Sequence, residues 1–143
     1  METTAELVQF ELVAPQRLVK SQAVEMVVVP CTEGDIGVLP GHAPLIATVR
    51  PGVIEMYENG MRTQSIFVAG GFVEVNPQRC TVLVEEAIAT GAIDREKVEA
   101  RIAAAKQALE DAQSEAEKAQ HESGIEMLEA MLDAMESVVH THQ

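Results

Sequence analysis

Residues Gly34 to Leu45 read Gly-Asp-Ile-Gly-Val-Leu-Pro-Gly-His-Ala-Pro-Leu, with the carboxylate of Glu33 just before them, that of Asp35 at their start and the imidazole of His42 near their end. A glycine-rich loop could cradle a phosphate, paired carboxylates could exchange protons, and a histidine could act as a base near neutral pH. The phosphate reading needs a Gly-Lys-Ser/Thr ending, which sets an ammonium and a hydroxyl on the phosphates and metal. Here Gly41 is followed by His42 and Ala43, and no Gly-x-Gly-x-x-Gly occurs. His42 has no nucleophile to serve, because Ser21, Ser65, Ser114 and Ser123 lie in no elbow motif. Carboxylates in a turn are ordinarily solvated, and His140-Thr141-His142 lacks the further ligands of a zinc site. Cys31 and Cys80 read as buried free thiols, which pair only if the fold brings them together. No catalytic residue, cofactor or metal centre is therefore expected. The loop reads as a shaped surface, with His42 holding its form.

Composition narrows the function further. The chain has 143 residues, of which 47% are hydrophobic, enough for a core. With no Trp, one Tyr and three Phe, that core must be built from aliphatic side chains. A net charge of −13 argues against nucleic acid and against an anionic membrane surface. No apolar run approaches the roughly 20 residues that cross a bilayer, so no direct membrane insertion is expected. Met1 to Leu12 carries acidic residues and no basic ones, unlike a signal or transit peptide.

The elements that position the loop change character near Gly91. All six prolines lie at or before Pro77, and past Gly91 only Gly124 remains of the nine glycines. The first part predicts strands over Leu7–Val13, Val24–Val29, Leu45–Val49, Val53–Glu58, Gln64–Ala69, Phe72–Val75 and Thr81–Glu85, short Val- and Ile-rich runs between turn residues. Glu58-Asn59-Gly60-Met61 predicts a type I′ hairpin turn. Gly70-Gly71 predicts a bulge or a close backbone approach. Such strands suit a sandwich or flattened barrel over 1–90.

Residues 91–143 predict an α-helical hairpin. Asp94 can cap its start. Val98, Ile102, Ala105, Leu109, Ala112, Ala116 and Ala119 recur at spacings of three and four along one predicted helix. His121-Glu122-Ser123-Gly124 is the expected break, after which Ile125, Leu128, Leu132, Met135 and Val139 line a second, antiparallel helix.

Three segments together resemble a known family. They are Gly34 to Leu45, Arg50-Pro51-Gly52, and Val68-Ala69-Gly70-Gly71-Phe72-Val73-Glu74-Val75, with Ala92-Ile93-Asp94-Arg95-Glu96-Lys97 similar as well. They resemble the epsilon subunit of the F-type ATP synthase, whose mitochondrial counterpart is called delta. The resemblance spans nearly the whole chain. It implies a β-sandwich of about ten strands, two aligned sheets face to face, followed by an antiparallel αα-hairpin. It implies a non-catalytic rotor subunit of the central stalk that couples proton-driven rotation to ATP synthesis on other chains. The implied partners are the gamma subunit, the c-ring of the membrane sector and, through the hairpin, the beta and alpha subunits of the head. The implied location is peripheral, on the cytoplasmic face of a bacterial inner membrane. By position in the motif, Glu33, Asp35, Gly41 and His42 become candidate rotor contacts. The competing reading is a free-standing sandwich adaptor that binds another protein through its acidic hairpin.

Two departures from the family pattern shape expectations. Residues 125–143 hold no Lys or Arg, while Glu126, Glu129, Asp133 and Glu136 are acidic. In relatives whose hairpin rises to block ATP hydrolysis, basic residues of the last helix meet an acidic beta segment. Acid against acid is repulsive, so inhibition is expected to be weak or absent. In Ile93-Asp94-Arg95-Glu96-Lys97-Val98, Lys97 stands where ATP-binding relatives carry Arg, and the second helix is read as offering no cation. Lys lacks the fork that grips phosphate bidentately, so no bound ATP is expected.

Overall fold

The computed structural model describes residues 6–141, with side chains as far as Glu136. The chain divides into two units, one ending at Ala89 and the other starting at Thr90.

Ten strands make the first unit: β1 (Val8–Ala14), β2 (Arg17–Val24), β3 (Met26–Cys31), β4 (Gly34–Val38), β5 (Leu45–Val49), β6 (Gly52–Glu58), β7 (Met61–Val68), β8 (Gly71–Val75), β9 (Arg79–Val84) and β10 (Ala87–Ala89). They follow one path, β10-β7-β6-β3-β5-β8-β9-β1-β2, with β4 beside β3. Every pair is antiparallel except β1 with β9, which run parallel from Gln9↔Arg79 to Val13↔Leu83. The path folds back on itself into a near-barrel. Gln22 on β2 donates to Glu58 on β6 at 2.9 Å and accepts from Gln64 on β7 at 2.9 Å, so β2, at one end of the path, meets strands near the other end through side chains.

Alternation selects the core. Val8, Phe10 and Leu12 of β1, Val73 and Val75 of β8, and Cys80, Val82 and Val84 of β9 point inward and are buried. Because successive side chains leave opposite faces, their neighbours Val13, Phe72, Glu74, Thr81 and Leu83 must point outward. The expected hairpin turn is present: Asn59 has φ 55° and Gly60 φ 74°, the double left-handed geometry of type I′. Gly70-Gly71 is a close backbone approach. Gly71 has φ 152°, and a Cβ there would lie 1.9 Å from the Leu83 carbonyl oxygen.

Three strands lie beyond the sequence expectation: β4, β10 and most of β2. β2 escapes because Arg17, Lys20, Ser21 and Gln22 dilute its apolar residues. β4 corrects the reading of Gly34 to Leu45 as a turn-rich loop. Its first five residues pair with β3 from Val27↔Val38 to Cys31↔Gly34, and only residues 39–44 form a connection. Half-buried Ile36 and buried Val38 had the period of two that marks a strand.

The second unit begins with a 3-10 turn, Thr90–Ala92, followed by α1 (Arg95–Glu110) and α2 (Glu115–Thr141). Asp94 caps α1 as expected, accepting from the Lys97 amide at 3.3 Å. The turn between helices falls at residues 111–114, not at His121–Gly124, which are helical. Glycine inside a helix costs only about 1 kcal/mol, and a stronger start signal lies upstream. The Ser114 hydroxyl accepts from the Glu117 amide at 3.1 Å, and the Glu117 carboxylate reaches back to the Gln113 amide at 3.1 Å. This is close to a capping box, in which side chains satisfy the free amides of a first turn. Ala116 and Ala119 accordingly sit exposed on α2 instead of extending the α1 stripe, while Ile125, Leu128, Met131 and Ala134 are buried. α2 also carries Lys118, which pairs with Glu115 at 3.6 Å, so the second helix does hold a cation, near the interhelical turn. Arg95 joins Glu136 at 3.2 Å across the hairpin.

Candidate functional site

The four candidate contacts lie at the two ends of β4. Glu33 is in the tight Thr32–Glu33 turn between β3 and β4, and Asp35 is the second residue of β4. Gly41 and His42 belong to the connection leaving its far end. Four strand steps at about 3.3 Å put about 13 Å between the ends of β4. The hairpin tip brings Glu33 and Asp35 together, and the far connection brings Gly41 and His42 together.

Each end has its own construction. At the tip, Arg50 Nη2 donates to Asp35 Oδ1 at 2.6 Å, and Nη1 of the same guanidinium donates to the Cys31 carbonyl at 2.5 Å. Both partners are partly exposed, so the ion pair itself contributes little, typically about 0.2–1 kcal/mol. A groove of about 550 Å³ runs beside the tip between residues 31–36 and β5. At the far end, Leu39-Pro40-Gly41-His42 closes with the His42 amide donating to the Leu39 carbonyl at 3.1 Å. Pro40 in the second position and Gly41 at φ 84° in the third make a type II turn, which needs a left-handed residue there. The Gly41 amide donates to the Pro77 carbonyl at 2.8 Å, tying this turn to the β8–β9 connection. His42 Nδ1 donates to the Ala43 carbonyl at 2.6 Å.

The connection leads into β5, so no helix N-terminus stands behind it to receive a phosphate. Among the described residues no group of three or more His, Cys, Asp or Glu could hold a metal, and every buried side-chain nitrogen or oxygen has a hydrogen-bond partner. The side chains of His140 and His142 lie outside the described residues. Cys31 and Cys80 are free and buried. Burial raises both thiol pKa values, that of Cys80 to about 12, while Arg50 partly offsets the rise at Cys31.

A further surface escaped the sequence reading. Thr48↔Phe72, Phe72↔Leu83, Leu83↔Val13 and Val13↔Leu18 are successive register partners across β5, β8, β9, β1 and β2. They form one outward row. Phe72 is 61% exposed, Leu83 50%, Leu18 56%, and Ile46 beside the row 72%. An exposed apolar row of this kind, on a chain of net charge −13, is a candidate protein contact rather than a set of scattered surface residues. The available signal was Thr81-Val82-Leu83-Val84 and Phe72-Val73, runs without the polar alternation of a strand wet on one side.

The architecture is a ten-stranded β-sandwich with exposed apolar and acidic surfaces, followed by an antiparallel helical hairpin. The model of the ATP synthase Delta/Epsilon chain, beta-sandwich domain, matches residues 7–90. The ATP synthase epsilon chain of Rhodospirillum rubrum is 53% identical over 130 residues, covering 91% of this chain and 97% of that one. The epsilon chain of Paramagnetospirillum magneticum is 53% identical over 131 residues, covering 92% and 98%. Among solved structures, a chain of the Euglena gracilis mitochondrial ATP synthase, in an assembly of OSCP, F1 and c-ring, superposes with a TM-score of 0.75 at 25% identity, over 94% of this chain and 84% of that one. The chain belongs to the delta/epsilon family of F-type ATP synthase subunits, as an epsilon-type subunit of the rotor stalk and not a catalytic one. The free-standing adaptor reading is not favoured. No helix among the described residues is long and apolar enough to cross a membrane.

Proposed function

We propose that the sandwich binds the gamma subunit through the apolar row of β5, β8, β9, β1 and β2, and meets polar loops of the c-ring with the two ends of β4. The observation that supports this is the exposed strip of Phe72, Leu83, Leu18 and Ile46, which needs a cover of its own kind. The acidic tip and the Gly41–His42 turn offer carboxylates and carbonyls, suited to basic or amide-bearing loops. The subunit would then turn with the ring at the cytoplasmic face of a bacterial inner membrane. The hairpin would inhibit ATP hydrolysis weakly or not at all, given the acidic surface of α2. Co-purification with gamma, in the absence of the head, tests the reading. The wild type travels with gamma, and Phe72→Asp with Leu83→Asp abolishes this while the circular dichroism spectrum is unchanged. Undiminished gamma binding by that variant would refute the assignment of the face.

A further inference from the structure

The chain has two asparagines, Asn59 and Asn76, and their surroundings differ. Asn76 precedes Pro77, whose nitrogen carries no hydrogen. Its Oδ1 accepts from the amides of Gln78 at 2.9 Å and Arg79 at 2.8 Å. Asn59 precedes Gly60 at the exposed tip of the β6–β7 hairpin, and its carboxamide makes no hydrogen bond among the described residues. No atom of a residue beyond the chain neighbours lies within 4 Å of the place a Gly60 Cβ would take. The Gly60 nitrogen is therefore unhindered, and such a nitrogen can attack the carboxamide carbon that precedes it. What restrains it comes from another part of the sandwich. The Gly60 amide donates to Glu25 Oε1 at 3.2 Å, and the Glu25 amide donates to the Tyr57 carbonyl at 3.1 Å. Glu25, the single residue between β2 and β3, thus spans the base and the tip of the turn. The left-handed pair, Asn59 at φ 55° and Gly60 at φ 74°, fixes the backbone as well. A type I′ turn sets the asparagine ψ near about 30°, and closing a five-membered ring onto the next nitrogen requires ψ to rotate far from that value.

We propose that Asn59-Gly60 is a self-modification site, and that Glu25 is the positioning residue that holds it closed. When the turn opens, hydroxide removes the Gly60 amide proton and the nitrogen attacks Asn59 Cγ. The N–Cγ bond forms and the Cγ–Nδ2 bond breaks. Nδ2 takes a proton from water and leaves as ammonia. Water then opens the resulting succinimide at either carbonyl, giving aspartate or isoaspartate at position 59. The closed turn resists twice: the Glu25 carboxylate opposes negative charge on the Gly60 nitrogen, and the fixed ψ keeps that nitrogen from Cγ. The product puts a new carboxylate beside Glu58, which accepts from Gln22 on β2 at 2.9 Å and from Thr63 at 2.9 Å. Isoaspartate also routes the main chain through an extra carbon, which a two-residue turn in the Glu58↔Met61 register does not accommodate. Modification therefore loosens the side-chain link between β2 and β6.

The full-length chain, aged in warm, mildly alkaline buffer with and without urea and read by peptide mass spectrometry, tests the proposal. Product should form at Asn59 and not at Asn76. In the folded wild type it should form at least about tenfold more slowly than in urea, because reaction waits on local opening. Glu25→Ala should speed the folded rate by about fivefold, typical of one hydrogen bond at an exposed site, and leave the rate in urea unchanged. Glu25→Gln, which keeps an acceptor without the charge, should fall between. Amide hydrogen exchange in Glu25→Ala should rise across residues 57–62 and stay at the wild-type rate in β1 and β9. Equal rates of modification in the folded wild type and in urea would overturn the protected turn. A Glu25→Ala rate equal to wild type would overturn the role of Glu25, and so would faster exchange throughout β1 and β9, which marks a weakening of the whole sandwich.

Discussion

Gly71→Ala is the sharpest test of the sandwich, because its effect is set by backbone rather than by adjustable side chains. The new Cβ would lie 1.9 Å from the Leu83 carbonyl oxygen, 2.9 Å from its carbon and 3.0 Å from the Val84 Cα. Relief of the first contact requires β8 to move from β9 by more than about 1 Å, since ordinary carbon–oxygen contacts are about 3.3 Å or longer. That displacement opens the Gly71↔Val84 and Phe72↔Leu83 pairs, and alanine also resists φ 152°. Overpacking costs about 1–3 kcal/mol, and a forced φ of this kind about 1–3 kcal/mol more. The stiffer unfolded chain returns about 0.4–1 kcal/mol. The net loss is then about 3 kcal/mol, a large share of a stability of about 5–15 kcal/mol. In urea, with a slope near 1.5 kcal/mol/M, the sandwich midpoint should fall by about 2 M. Gly124→Ala is the control. It sits in α2 with nothing within 4 Å of the added Cβ, so it should raise hairpin stability by about 0.5–1 kcal/mol. A loss below about 1 kcal/mol in Gly71→Ala would refute the close approach of β8 and β9.

Ser114→Ala removes the cap of α2 and should cost about 1 kcal/mol, read as faster hydrogen exchange in the Glu117 and Lys118 amides; unchanged exchange would show that the interhelical turn does not depend on the cap. Because burial raises the Cys80 thiol to about 12, its neutral form is favoured in the folded state. Stability should be complete below about pH 8.5 and decline as pH rises toward 12, by up to about 1.4 kcal/mol per unit. Cys80→Ala should flatten that decline in alkaline denaturation curves, and an identical slope would exclude Cys80 as its source. Deletion of residues 91–143 should raise ATP hydrolysis by the assembled head less than about tenfold, or about 1.4 kcal/mol in barrier; a larger rise would mean that an acidic hairpin can still block the head.

Legibility followed how local each cause was. Asn59-Gly60 declared its turn because only left-handed residues fit there, and Asp94 declared the start of α1. The Gly70-Gly71 pair announced a close approach but not its neighbour, since Leu83 reaches it only through the β8–β9 register. The interhelical turn was misplaced because Gly124 was weighed above the Ser114-to-Glu117 cap, although a single glycine is tolerated inside a helix. At the candidate site, sequence brought Glu33, Asp35, Gly41 and His42 into one ten-residue stretch. β4 parts them because the same glycines that bend a loop can also sit in an edge strand. Arg50 stood within a family motif, yet nothing local revealed that it reaches Asp35. The apolar row was hidden for the same reason: its members come from five strands.

The parallel pairing of β1 with β9 also bears on how the chain comes off the ribosome. β1 gains its partner β2 at once through a tight turn, but its second neighbour arrives only after synthesis has passed Val84. Until then the Val8, Phe10 and Leu12 side chains have no completed core, and β1 remains an open edge able to pair with another nascent chain. The β6–β7 hairpin and the α1–α2 pair close over a few residues and are not delayed in this way. By topology, late and distant closure of this kind should make the sandwich fold more slowly than the helical hairpin.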